Sequence, residues 1–348
     1  MRRGLISWNE NEVTRSVLDQ RVARCRAAMA LNKMDALLVY ASFPRPAAVS
    51  YLANFVPYWS QLVLVVLPNA KPTMVVSLSK RVTDWIEETA HVSETICTPN
   101  IGGEVAKLLM MDESIKQVGV VELDNLPSMI VNNFRTENDT IEFVDATEMF
   151  AEFRIQADET EIALTRRAAE IAHTALALAA PCDAPVEASI LAEIETAARM
   201  QGCEEILIDI AEDLSRDENF RRLDGPSIFK NRYAVRLSVA YKGYWVRVGR
   251  TFEQANGGVD RAAAVESYLA ISLADLCKNP LGGFAALDQV IEGCVGSTPL
   301  KTLPEAACGQ MVSVTQRWRD DHGCWLISEP VLLGASINAP AEILVSAG

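Results

Sequence analysis

The stretch Val235-Arg236-Leu237-Ser238-Val239-Ala240-Tyr241-Lys242-Gly243-Tyr244-Trp245-Val246-Arg247-Val248-Gly249-Arg250-Thr251-Phe252 alternates in character on both sides of a turn. Val235, Leu237 and Val239 fall on one side of the chain and Arg236, Ser238 and Ala240 on the other, as the period of two in a β-strand requires. Past the turn, Tyr244, Val246 and Val248 alternate with Trp245, Arg247 and Gly249. The pattern predicts a β-hairpin with one apolar face and one face carrying two arginines. Centring the turn between Tyr241 and Lys242 sets Arg236 across from Arg247. Two like charges at about 5.5 Å and an effective dielectric of about 20 repel by on the order of 3 kcal/mol. Such a hairpin needs an offsetting group: a protein carboxylate (Asp209, Glu212, Asp213 or Glu329), a bound anion, or side chains splayed into water.

Outward from the hairpin, Ile206–Ile210 precedes it as a strand, and Met311–Gln316 and Trp325–Leu333 follow it. A helix over about Asp260–Cys277 separates them. Trp245, Trp318 and Trp325 flank the same region, as core filling or as the lining of a pocket. Upstream, Asp158 and Glu161 form a capping box heading a helix over Glu159–Ala180. Pro181–Pro185 breaks the chain before a second helix over about Val186–Met200. Helices first and antiparallel strands after predict an α+β domain over residues 153–348.

Residues 1–152 have a different rhythm. Leu18, Val22, Cys25 and Met29 recur at helical spacing and place a helix over Arg15–Leu31. Strands are expected at Asp35–Tyr40, Leu62–Leu67, Thr73–Ser77, Gln117–Glu122 and Ile141–Val144, with helices at Arg81–Thr89 and around Glu104–Met110. Strands interleaved with helices predict a three-layer α/β domain.

The composition narrows the function. A formal charge of −14 in 348 residues, with no polybasic run, argues against nucleic acid or an anionic membrane as a partner. The apolar stretch Leu62–Pro68 has the length of a strand and is far too short to span a bilayer. Met1-Arg2-Arg3-Gly4-Leu5 leads into no apolar run of signal-peptide length, so a cytoplasmic protein is expected. The eight cysteines show no C-x-x-C spacing and read as reduced thiols. Three histidines (His91, His173 and His322) are few for imidazole-based metal chemistry.

Phe153-Arg154-Ile155, Asp158-Glu159-Thr160-Glu161-Ile162 and Arg166-Arg167-Ala168-Ala169-Glu170-Ile171-Ala172 resemble the linker and first helix of the creatinase, prolidase and aminopeptidase P family. Pro185-Val186-Glu187, the Ala48–Leu52 stretch, Gly243-Tyr244 and Arg250-Thr251-Phe252 fit the same pattern. The resemblance covers nearly the whole chain. It implies a creatinase-like three-layer α/β domain followed by a pita-bread domain, here shortened. It also implies a site for two divalent cations, held by two hairpin aspartates eleven positions apart, a histidine loop and two glutamates.

The aspartate positions fall on Arg236 and Arg247, and the first glutamate position on Gln316. The last glutamate falls on Ser328, or on Glu329 after a one-residue slip, and no histidine occurs between Pro280 and Leu303. Guanidinium offers only donors and a fixed positive charge, whereas divalent cations need oxygen donors. The resemblance thus implies a degenerate member with no metal or other cofactor, not a metallopeptidase.

Arg236, Arg247, Gln316, Ser328, Glu329 and Trp245 are the candidate ligand-binding residues, with Arg250 and Tyr244 supporting the hairpin. Paired arginines suit a carboxylate or phosphate. His322, in Arg319-Asp320-Asp321-His322-Gly323, is a candidate general base beside Asp320 or Asp321, or a solvated turn residue. His173 reads as structural. The favoured expectation is a non-catalytic member that holds a small anion or acts as a scaffold, in a homodimer or in a heteromer with a paralogue. The alternative is a metal-independent hydrolase or lyase of a small carboxylate-bearing C–N compound.

Overall fold

The computed structural model describes residues 8–42, 45–57, 60–180, 187–223, 225–254, 288–293, 308–320, 323–336, 339 and 341–344. Of residues 288–293, 320 and 323 only the backbone is described. The chain divides into two compact units, residues 2–155 and 156–348, the second also counting Met1.

In the first unit α1 (Arg15–Leu31), β1 (Ala36–Ser42), α2 (Ala47–Ala53), β2 (Gln61–Val66) and β3 (Thr73–Val76) are followed by α3 (Thr83–Thr89) and β4 (Glu94–Cys97). Then come α4 (Ile101–Met110), β5 (Gln117–Val121), α5 (Ser128–Glu137), β6 (Glu142–Asp145) and α6 (Thr147–Phe153). The strands form one six-stranded sheet in the order β4-β3-β2-β1-β5-β6. β1 is antiparallel to β2 and parallel to β5, which makes the sheet mixed. Leu37, Val39, Leu62, Leu64 and Val66 of one sheet face pack with Val22, Cys25 and Met29 of α1 and with Leu52 of α2. Leu38, Val63, Val65, Val118 and Val120 of the other face pack with Val105 and Leu109 of α4 and with Ile130 and Phe134 of α5. This is the three-layer arrangement that the alternating pattern demands.

The second unit contains α7 (Glu159–Leu176), α8 (Ile190–Met200), β7 (Glu205–Ala211), β8 (Arg232–Tyr241), β9 (Tyr244–Glu253), β10 (Asp288–Gly293), β11 (Met311–Asp320), β12 (Gly323–Leu332) and β13 (Glu342–Ile343). Six strands run in the order β10-β11-β12-β9-β8-β7, and β13 pairs with β12. Every neighbouring pair is antiparallel. Val235, Leu237, Val239, Val246 and Val248 bury one face of the sheet against Ala168, Ile171, Ala172 and Ala175 of α7 and Ile194 of α8. Arg236, Ser238, Ala240, Trp245, Arg247 and Gly249 face away from these helices.

Asp158 accepts from the Glu161 backbone N–H while the Glu161 carboxylate accepts from that of Asp158, so the expected capping box heads α7. Asp158→Ala removes the oxygen that satisfies an orphan helix N–H, and about 1 kcal/mol of stability should go with it. Chemical denaturation reads the effect; an unchanged midpoint would show that other groups hold the start of α7.

Elements differ from the sequence reading where tertiary packing overrides local pattern. The helix expected from Arg81 begins as a 3-10 turn at Lys80–Val82, and α8 starts at Ile190 instead of Val186. α2, α5, α6, β4, β10 and β13 are additional. Among the described residues no helix is long and apolar enough to cross a membrane. The helix expected at Asp260–Cys277 lies outside the described residues.

Candidate functional site

The β8–β9 hairpin turns at Lys242 and Gly243, both with positive φ (49° and 82°), and Tyr241 pairs with Tyr244. That backbone suits the right-handed strand twist of a two-residue hairpin. The centre lies one residue further on than expected, which changes the register by two. Arg236 therefore pairs with Gly249, and Arg247 pairs with Ser238. The arginines share a face, as the period of two requires, but sit diagonally. Diagonal neighbours lie about 7–8 Å apart, which relaxes the predicted repulsion.

One row of residues crosses five strands on this face. Asp209 pairs with Arg236, Arg236 with Gly249, Gly249 with Ser328, and Ser328 with Thr315. The Asp209 carboxylate lies 2.9 Å from an Arg236 Nη, so a protein carboxylate does offset this charge. The Arg236 guanidinium also stacks 4.4 Å from the Phe220 ring centroid. Both members of the ion pair keep about a fifth of their side-chain surface in solvent (20% and 22%). The pair is thus partly screened and fixes geometry more than it stabilises.

The second row holds Ser238 and Arg247. Arg247 is only 8% exposed; its Nε donates to Ser238 Oγ at 3.1 Å and its backbone N–H donates to Ser313 Oγ at 3.0 Å. Thr315 Oγ1 and Ser328 Oγ are 2.7 Å apart, and both residues are buried. Two guanidinium groups and four hydroxyls (Ser238, Ser313, Thr315, Ser328) thus occupy one face of the sheet. Apolar groups close this band at both ends. Trp245 packs with Ala240 and Leu207 at one end, and Phe220 with Ala211, Leu214, Ala234, Cys324 and Leu326 at the other.

The other candidates are placed differently. Gln316 pairs with Ile327 and Glu329 with Val314, which puts both on the helix-facing side, away from Arg236 and Arg247. Gln316 is fully buried, and its amide atoms have no hydrogen-bond partner among the described residues. The Glu329 carboxylate accepts from Arg250 and lies 2.9 Å from His173 Nε2 on α7. Burial pushes the Glu329 pKa up, but the His173 hydrogen bond and the Arg250 charge outweigh it and hold the carboxyl below its ordinary range. Arg250 and His173 thus act inside the fold. Tyr244 also faces the helices, its hydroxyl 3.5 Å from the Glu161 carboxylate. His322 lies outside the described residues. Cys203 and Cys324 are free thiols that burial pushes up to about 11, far from thiolate reactivity at neutral pH.

Thr315 and Ser313 escaped the sequence reading, which followed Gln316. A readable signal existed: the polar Arg319–Gly323 run reads as a turn between strands, and Asp320 pairs with Gly323. Counting back from that turn sets Thr315, not Gln316, across from Ser328. Donor chemistry then decides what the face can hold. Arginines and neutral hydroxyls at these positions do not suit a pair of divalent cations, which seek carboxylates or imidazoles. Among the described residues no three His, Cys, Asp or Glu side chains form a metal-binding group.

Residues 21–156 match the Creatinase/Prolidase N-terminal domain family. Among solved structures, the chain is similar to the prolidase from Pyrococcus horikoshii OT3, with 16% identity, a TM-score of 0.68 and coverage of 94% of this chain and 99% of that one. It is likewise similar to the Xaa-Pro dipeptidase from Bacillus anthracis, at 18% identity, a TM-score of 0.67 and coverage of 95% and 98%. The X-Pro aminopeptidase from Thermotoga maritima MSB8 gives 15% identity, a TM-score of 0.71 and coverage of 94% and 98%. Identities this low speak for a common fold across both units, and no curated protein sequence matches the chain.

Proposed function

We propose that this chain, whose residues 21–156 match the Creatinase/Prolidase N-terminal domain and which shares the prolidase fold, is a metal-independent, non-peptidase member of the creatinase/prolidase family. Its sheet face receives a small anion in place of a pair of cations. The observation that carries this reading is the shared face of Arg236 and Arg247, set with the hydroxyls of Ser238, Ser313, Thr315 and Ser328. Guanidinium groups and hydroxyls supply hydrogen-bond donors, and a charge-assisted bond in a poorly solvated place is about twice as strong as a neutral one. The structural neighbours are peptidases by name, and the present chain differs from a metal-dependent peptidase in the donor atoms it presents.

Elemental analysis of purified protein, before and after incubation with manganese, cobalt or zinc and desalting, should find well under one metal per chain. Xaa-Pro dipeptides should survive incubation with the same samples. A thermal-shift series with acetate, benzoate and inorganic phosphate should raise the melting temperature. A ligand at a hundredfold excess over Kd stabilises by about 2.7 kcal/mol. Stoichiometric metal, or dipeptide hydrolysis that a chelator stops, would overturn the reading.

A further inference from the structure

The chain between β7 and β8 is pinned at two points by backbone hydrogen bonds. The Leu214 N–H donates to the Arg232 carbonyl at 2.9 Å, and the Leu214 carbonyl accepts from the Cys324 N–H at 3.3 Å. Further on, Ile210 and Arg221 exchange both of their backbone bonds at 2.9 Å, which closes the base of the loop. Between the pins, the ties to the sheet that the described residues show for residues 215–220 are made by side chains. The Glu218 carboxylate accepts two parallel bonds of 2.8 Å from Arg319 of β11, and a third from the Cys324 thiol. Phe220 packs with Ala234, Cys324 and Leu326, and its ring covers the Arg236 guanidinium. Other polar groups of the segment bond within the loop. The Ser215 N–H and hydroxyl donate to Asp213, the Asn219 N–H and amide donate to Asp217, and Arg216 pairs with Asp213. Those bonds travel with the segment when it lifts.

We infer that residues 215–220 form a strap over Arg236, with Phe220 as its cover and the Glu218–Arg319 fork as its latch. A compact loop whose base is bridged and whose tip is held by side chains can open without disturbing the sheet beneath it. The latch is weak enough to release. Arg319 keeps 51% of its side-chain surface in solvent and Glu218 33%, and exposed ion pairs of this kind hold only loosely. The cover is the stronger tie, because lifting it exposes the ring and breaks its contact with the guanidinium. In the closed form Arg236 lies between the Asp209 carboxylate and the ring; in the open form it keeps Asp209, and the flank under Phe220 meets water. The strap thus controls access to the Arg236 end of the donor face. This inference needs no particular ligand and stands apart from the anion reading, since the reactivity of Arg236 itself reports the opening.

Labelling of the full chain with phenylglyoxal, a reagent for accessible guanidinium groups, tests this, with each arginine followed by peptide mass spectrometry. In the wild type Arg236 should react far more slowly than Arg216, which is 86% exposed. Glu218→Gln and Arg319→Gln each remove the latch charge from one side and should speed the Arg236 reaction by about two- to fivefold. Phe220→Ala should speed it by about tenfold or more. Arg216→Gln, whose ion pair lies within the loop, should leave it unchanged. Arg250, on the opposite face of the sheet and 14% exposed, should keep its wild-type rate in every variant. Circular dichroism and melting temperatures confirm the fold of each protein. An Arg236 rate unchanged in the two latch variants, or in a folded Phe220→Ala protein, overturns the strap. So does an equal rise at Arg250, which would report general loosening instead of a local opening.

Discussion

Glu329→Gln is expected to destabilise the protein by about 3–5 kcal/mol at neutral pH, as breaking one side of a buried ion pair does. Glu329 is 4% exposed and has two partners, the Arg250 guanidinium on β9 and the His173 imidazole on α7. The amide keeps the shape and one acceptor but removes the charge, leaving the Arg250 guanidinium facing a neutral group in a poorly solvated place. The pH dependence has a definite sign. The Glu329 pKa is depressed in the folded protein, so its carboxylate contributes stability that is fully present above the unfolded value of about 4.3. That contribution is lost as pH falls through the lower, folded value. The carboxylate's own share of the gap between wild type and variant should therefore persist down to about pH 5 and shrink in stronger acid. Urea denaturation at several pH values measures it. Equal midpoints at neutral pH, or a gap that widens in acid, would show that the His173–Glu329–Arg250 link does not tie α7 to the sheet.

This link shows which parts of the molecule were legible in the sequence. Period and capping were enough for α1 and for the start of α7, whose boundary residues Arg15, Leu31 and Glu159 stand where the pattern set them. Some short elements were not legible. β4 has four residues, three of them polar or small, and α5 carries the pair Asn132-Asn133, a poor helix signal rescued by burial of Ile130 and Phe134.

At the site, the period of two was enough to put Arg236 and Arg247 on one face. Their register depended on where the turn is centred, and Gly243, with its positive φ, marks that centre. Ser328 paired with Gly249 was beyond reach, because β12 and β9 lie far apart in sequence and only the folded sheet makes them neighbours. The same holds for Glu329. A one-residue slip left it competing with Ser328 for a place at the site, whereas alternation in β12 gives the two residues opposite faces. The row of donors and the buried salt link are thus two sides of one strand, and neighbouring substitutions there should have unrelated effects.

Gly102→Ala is the second change expected to have a large effect, and its sign runs against helix propensity. Alanine in an exposed helix interior is about 1 kcal/mol better than glycine. Gly102 sits in the first turn of α4, fully inside the core contact with α5, where a Cβ would lie 2.0 Å from the Ile130 carbonyl oxygen and 2.9 Å from the Phe134 nitrogen. Both are backbone atoms, so no side-chain rotation relieves the overlap; α4 and α5 must separate. Moving two packed helices apart opens the layer formed by Val105, Leu109, Ile130 and Phe134 against β1 and β5. Overpacking of this kind costs about 1–3 kcal/mol, and the displaced backbone sets this case at the upper end. Gly103→Ala supplies the contrast: the atoms that a Cβ meets there belong to the Asn100 side chain, whose Oδ1 caps the helix by accepting from the Gly103 N–H. Losing that cap should cost about 1 kcal/mol. Denaturation curves for the two variants therefore should rank Gly102→Ala well below Gly103→Ala. The reverse order, or a stabilised Gly102→Ala, would mean that the α4–α5 contact is looser than its backbone distances state.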